Sequence, residues 1–251
     1  MRLALDIVRQ AGEMAEQAFG SDTVHVRYKH DGSVVTSTDL AVEDLVRRRL
    51  AEAVPGDGVA GEERPERTGT SGRRWLIDPI SGTARFVAGK PTYSVDLAME
   101  DEHGPALAVS ALPSMGITMA AGRGIGCRVI ANGRETEGRV STRDALDGAR
   151  VCLHGKRKPV LRTCVVVDGD VSVLQLVTGE VDAVFASGVD RFDLACLAVL
   201  VREAGGRVTV IEEGVVLATN DVLHDVLLDH LETHLGVEPS PPALQTVTRP
   251  S

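Results

Sequence analysis

Aromatic residues are scarce. The chain has one Trp, two Tyr and four Phe, 3% of its 251 residues, so Val, Leu, Ile and Ala must do most of the packing. It also lacks any stretch approaching the ~18 continuous apolar residues of a membrane span. The N-terminal Met1-Arg2-Leu3-Ala4-Leu5-Asp6 meets charge at once, unlike the apolar run of a secretory leader. Cysteine is sparse: Cys127, Cys152, Cys164 and Cys196 form no C-x-x-C pair, and their spread suits buried free thiols in a reducing, cytoplasmic setting. Positive charge is not in excess. The formal net charge is -9, which argues against nucleic acid or an anionic membrane as partner. A small phosphorylated metabolite stays compatible, because a carboxylate-bound cation reverses the local sign.

What is present is an ordinary globular composition, 43% hydrophobic and 25% charged. Leu3, Ile7, Ala11, Met14, Ala15 and Ala18 have helical spacing and predict an amphipathic helix over 3–19. A second helix is expected from Asp39, with an acid at its start and Arg47, Arg48 and Arg49 near its end. Trp75-Leu76-Ile77-Asp78 predicts a short buried strand ending at a carboxylate. Tyr93, Val95, Leu97 and Met99 alternate with Ser94, Asp96 and Ala98, the pattern of a half-buried strand. Further strands are expected to about Ile130, and Asn132-Gly133 predicts a hairpin turn. Beyond residue 145 the rhythm changes. Apolar strands at 151–153, 164–167, 181–185 and 208–211 alternate with helices at 171–178, 193–204 and 222–235, an α/β pattern. The expected organisation is an N-terminal α+β half over 1–145, a C-terminal α/β half over 146–237, and a proline-bearing, disordered tail over 238–251.

Four short acidic segments carry the chemistry. They are Thr36-Ser37-Thr38-Asp39 at a helix start, Gly61-Glu62-Glu63 after a glycine turn, Asp78-Pro79-Ile80-Ser81-Gly82-Thr83 at a strand end, and Phe192-Asp193-Leu194-Ala195 opening a helix. Singly, Asp39 and Asp193 are what helix starts often carry, and Glu62 and Glu63 suit a solvated loop. Together they suit a hard cation such as Mg²⁺, which takes oxygen ligands in near-octahedral geometry. Gly82 and Thr83 follow at once and offer backbone N–H groups to a phosphate.

These segments resemble the motifs of the inositol monophosphatase family: GEE, D-P-[IL]-D-G-T-x-x-[FY], and W-D-x-A before E-A-G-G. Here they stand as Gly61-Glu62-Glu63, Asp78 to Phe86, Phe192 to Ala195, and Glu203-Ala204-Gly205-Gly206. The lead-in Lys29-His30-Asp31-Gly32-Ser33, the run from Ala121 to Gly126, Asn132-Gly133 and Ala218-Thr219-Asn220 are similar too, in order over about residues 1–235. The resemblance implies a layered αβαβα sandwich, a homodimer, and Mg²⁺-dependent hydrolysis of a small sugar, cyclitol or nucleotide phosphate. It implies Glu62, Asp78, the Ile80 carbonyl and Asp193 as metal ligands. Thr83, held by Asp39 and helped by Glu62, would position the attacking water. Gly82, Thr83, Ser81 and Asp193 would face the substrate.

The chain departs from the motif at Ser81, where the family carries a metal-binding aspartate. A serine hydroxyl is neutral, so the motif carboxylates fall to Glu62, Asp78 and Asp193, and the expectation is a weakened second metal site. A catalytically impaired or repurposed phosphate-binding protein is the competing reading. Ala186 stands where inositol-specific members place a sugar-binding glutamate. Nearby Asp190 and Arg191 suit another substrate or a solvated loop. His230 and His234 lie at i, i+4 on an expected helix but lack the flanking glutamate of a zinc site, so a solvated face is the reading. The basic run His154 to Lys158 reads as a surface turn.

Overall fold

The computed structural model describes residues 1–21, 24–30, 32–156, 159, 161–167, 169–212 and 214–235. Asp31, Arg157, Lys158, the side chain of His234 and the tail over 238–251 lie outside the described residues. The chain folds as two compact units, Met1–Thr136 with Arg191–Val199, and Glu137–Asp190 with the chain from Leu200.

The first unit opens with helix α1 (Arg2–Ala18), which buries Ala4, Ile7, Val8, Ala11 and Ala15 along one stripe. A short antiparallel hairpin follows, β1 (Val26–Tyr28) with β2 (Val34–Thr36). Helix α2 (Ser37–Ala53) begins at a capping box. The Thr36 hydroxyl accepts from the Thr38 and Asp39 amides, while Asp39 accepts from the Thr36 amide. The helix runs on to Ala53 and has no basic residue in its last turn, so Arg47–Arg49 do not sit at its end as expected. Arg47 instead donates to the buried Glu43 at 2.6 Å.

A seven-stranded sheet carries this unit. Its strands are β3 (Gly58–Gly61) and β4 (Arg74–Ser81), then after helix α3 (Thr83–Val87) β5 (Ser94–Asp101), β6 (Gly104–Leu112), β7 (Ile117–Gly122), β8 (Gly126–Ala131) and β9 (Arg134–Gly138), neighbours in chain order. β3 and β4 are parallel, and the pairs from β4 to β8 are antiparallel. Asn132 (φ 52°) and Gly133 (φ 73°) form the two-residue turn between β8 and β9, both in the left-handed region that such hairpins demand. Helices α1 and α2 pack on the sheet through one apolar core. Three of the few aromatics gather there: Phe86 meets Tyr93 edge-on at 4.9 Å, and Phe19 tilts against both.

The second unit holds β10 (Arg150–His154), β11 (Val165–Val167), helix α4 (Ser172–Val177), β12 (Ala183–Ser187), helix α5 (Arg191–Glu203), β13 (Gly206–Glu212), β14 (Val215–Asn220) and helix α6 (His224–Leu235). The first residues of α5, through Val199, belong to the first unit. The sheet order is β11-β10-β12-β14-β13, with β10 to β12 parallel and β14 antiparallel to both neighbours. β14 is an addition to the expected strands, and it is buried along its whole length. His224, at the start of α6, is fully buried between the hydroxyls of Thr209 (2.8 Å) and Thr219 (2.7 Å). The four cysteines are free thiols, and Cys164 is only half-buried. No described helix is long and apolar enough to cross a membrane.

Candidate active site

The site grows from the junction of β4 and β5. The expected strand at Trp75 does not end at Asp78; it continues through Ile80 to Ser81. Pro79 cannot donate to the ladder, and the pairing shifts there: Asp78 faces Asp96, but the next matched pair is Ser81 with Ser94. One extra residue on β4 makes a bulge, which re-aims side chains at that point.

The register therefore sets two carboxylates opposite each other on neighbouring strands. Asp78 is 4% exposed and Asp96 7%. The first turn of α5 brings a third, the half-buried Asp193. One oxygen of each lies within 4.8 Å of the other two. The serines that follow the bulge hold this cluster in place. Ser81 Oγ donates to Asp193 Oδ1 at 2.9 Å, and Ser94 Oγ donates to Asp96 Oδ2 at 3.1 Å. Cys196, one turn along α5, is buried against them. Burial, then the negative field of Asp96, Asp193 and Asp78, holds its thiol well above the usual range, so it stays protonated and donates to the Val109 carbonyl at 3.7 Å.

This donor set fits Mg²⁺. All three groups are hard oxygen donors, and octahedral ligands about 2.1 Å from Mg²⁺ stand roughly 3–4 Å apart, so only small shifts separate the cluster from closure. Among the described residues, Asp78 Oδ1 and Asp96 Oδ1 are buried oxygens that receive no hydrogen bond, although both residues are partnered elsewhere. Like charges opposite each other across a strand pair are unfavourable, and a divalent cation removes that repulsion.

Beside the cluster, Gly82 takes φ +83°, a left-handed conformation that lets the chain turn from β4 into α3. Thr83 Oγ1 lies 3.0 Å from the Ile80 carbonyl and 3.2 Å from Asp39 Oδ1. Asp39 is fully buried. Burial raises its pKa, against the opposing pull of hydrogen bonds from Thr36 and Thr83. The Ile80 side chain is in the core, and its carbonyl serves Thr83.

Glu62 is placed differently from the expected ligand set. It stands outside the aspartate cluster, its Oε1 2.6 Å from Lys29 Nζ, which also reaches Glu63 Oε1 at 2.6 Å. Burial works against the Lys29 ammonium, but the two glutamates outweigh it and hold its pKa above the ordinary range. One ammonium cannot fully serve two carboxylates. Burial therefore still raises Glu63, Lys29 opposes it, and the charges of Glu62 and Asp39 add to the rise.

A model of the inositol monophosphatase family matches residues 1–236. The chain belongs to the inositol monophosphatase family. It is 34% identical to the histidinol-phosphatase of Mycobacterium tuberculosis, over 92% of this chain and 97% of that protein. A solved suhB protein from Bartonella henselae superposes with a TM-score of 0.82 at 25% identity, covering 92% of this chain and 98% of that one. A solved IMPase/NADP phosphatase complexed with Mg²⁺ and phosphate has a TM-score of 0.77 at 19% identity, covering 94% and 96%, and shares the fold. The layered α/β sandwich expected from the motifs is therefore the observed architecture.

Two residues at or beside the site lie outside the sequence motifs. The alternation over 93–99 puts Asp96 on the solvated face of a half-buried strand, yet both faces of β5 are buried from Val95 to Ala98. The motif count of Glu62, Asp78 and Asp193 is thus short by one acid at the site. Glu43, on α2, is fully buried and accepts the Glu63 amide at 2.7 Å. Its carboxylate lies over Gly61, where an added β-carbon would come within 2.1 Å of Glu43 Oε1. Gly61→Ala should therefore cost about 1–3 kcal/mol of stability by overpacking and displace the Glu62–Glu63 loop. Urea unfolding checks it, and an unchanged midpoint would refute the close-approach argument.

Proposed function

We infer that this chain is a Mg²⁺-dependent phosphomonoesterase acting on a small phosphorylated metabolite. The observation that carries the reading is the convergence of Asp78, Asp96 and Asp193 beside the Thr83–Asp39 pair. Asp78 and Asp193 would hold the ion. Bound there, Mg²⁺ supplies charge to a phosphoryl oxygen and lowers the pKa of water. When the Thr83 hydroxyl donates to Asp39, its lone pairs are left to accept a hydrogen bond from a water, which would orient that water toward phosphorus. The amides of Gly82 and Thr83 are the proposed phosphate donors. Glu62 would join the site by exchanging Lys29 for the ion, since its carboxylate already holds a cation.

Two observations bear on the substrate. The 34% identical relative is a histidinol-phosphatase, and Ala186 on β12 has a methyl group that cannot bond a polyol hydroxyl. Histidinol phosphate is accordingly the first substrate to try, and no marked preference for myo-inositol monophosphate is expected. Phosphate release from a panel of both compounds, hexose phosphates and nucleoside monophosphates, with Mg²⁺ or with EDTA, tests the reading. Turnover with Mg²⁺ and none with EDTA is expected. A kcat/KM highest for myo-inositol monophosphate would refute the specificity argument, and metal-independent turnover would refute the mechanism. A homodimer and a cytoplasmic location belong to the same proposal, and light scattering checks the first.

A further inference from the structure

We propose that Asp96 is a metal ligand of this site, taking over from β5 the carboxylate that the family motif carries at position 81. This rests on the reading of the cluster as a divalent-cation site.

Asp96 lies opposite Asp78 in the β4–β5 ladder, just before the bulge that brings Ser81 opposite Ser94. A carboxylate at 96 and one at 81 therefore approach the same space from adjacent strands. The structure realises the approach from β5: an oxygen of Asp96 is within 4.8 Å of oxygens of both Asp78 and Asp193. Asp96 belongs to none of the family motifs, which is why they do not reveal it.

The motif places carboxylates at the positions of 78, 81 and 193. This chain has them at 78, 96 and 193, so the exchange leaves the number at the cluster unchanged. Ser81 then has a different task. As a neutral donor 2.9 Å from Asp193 Oδ1, it orients that ligand, whereas a fourth carboxylate there would repel it.

Asp96 is a buried carboxylate. A buried carboxylate is expensive unless it is paired or binds a metal. The Ser94 hydroxyl donates to Oδ2, and the group across the ladder, Asp78, is another acid.

The test uses Mn²⁺ as the probe, with binding followed by calorimetry and by electron paramagnetic resonance of free Mn²⁺ on the full chain. The variants are Asp96→Asn, Asp96→Ser, Asp78→Asn and the exchange Ser81→Asp/Asp96→Ser, with circular dichroism confirming the fold of each. Asp96→Asn and Asp96→Ser should weaken Mn²⁺ about tenfold or more, at least the loss seen when groups behind a ligand are removed. The exchange should recover most of that affinity, because it returns the carboxylate to β4 and the hydroxyl to β5. Should both Asp96 variants bind Mn²⁺ as tightly as the parent while Asp78→Asn does not, Asp96 is not a ligand, although the metal site stands. Should Asp78→Asn also bind normally, the cluster is no cation site and both readings fall. An exchange variant that folds but stays as weak as Asp96→Ser would overturn the positional argument.

Discussion

Asp78→Asn should lower Mg²⁺-dependent phosphate release by about 10³-fold, on the order of 4 kcal/mol of transition-state stabilisation. The side chain is nearly isosteric, so the effect is one of charge. Asp78 is the acid delivered by the buried strand β4 and faces Asp96 directly. An amide oxygen is neutral, so it leaves the charge of a divalent cation unbalanced and binds it more weakly. The stability of the same variant separates charge from misfolding. Without metal, the parent carries buried like charges, and removing one should leave the melting temperature unchanged or higher. With Mg²⁺ the parent gains stability by mass action, and the variant should gain little. The measurement is thermal unfolding of both proteins in EDTA and in Mg²⁺, beside the rate assay. A variant that melts well below the parent in EDTA would mean that Asp78 is structural, and its lost activity would say nothing about metal.

The second large effect is on stability against pH. His224 is buried between two threonine hydroxyls, and burial first, then the charge of Arg207, lowers its pKa to about 4. The unfolded chain titrates this group near 6.5. Between about pH 4 and 6.5 the unfolded state therefore binds more protons than the folded state. Stability from His224 is fully present above 6.5 and is lost as pH falls toward 4, by about 3 kcal/mol in all. Asp39 and Glu63 act in the opposite sense. Burial raises their folded pKa values, so their folded forms hold protons longer. The His224 contribution is thus best read as a difference. Urea unfolding of the parent should lose more stability from pH 7 to 4.5 than unfolding of His224→Gln, which keeps polar atoms for Thr209 and Thr219 but does not titrate. Parallel pH profiles for the two proteins would refute the assignment.

The sequence by itself determined the family, the layered α/β class, and most of the chain segments that meet at the candidate site. Asp78, Ser81, Gly82 and Thr83 are contiguous, so their relation is local and survives in the linear pattern. The helix start near Asp39 is equally local, although the structure puts the N-cap at Thr36 and Asp39 at the third helical position. The alternation of Tyr93, Val95, Leu97 and Met99 correctly announced a strand, but it assigned Asp96 to the wet side. Period-2 patterning assumes one solvated face. That assumption failed because the chain returns after more than ninety residues and lays Phe192–Val199 of α5 with the first unit, bringing Asp193 and Cys196 to the second face of β5. Only tertiary structure could decide this, since the covering helix and the covered strand share no local signal. The same holds for Glu43, whose carboxylate meets Gly61 and the Glu63 amide from a separate helix. It holds too for His224, whose low pKa comes from a sheet that closes over it. In each case the decisive quantity is burial of a charged or titratable group, and burial is a property of what packs against a residue.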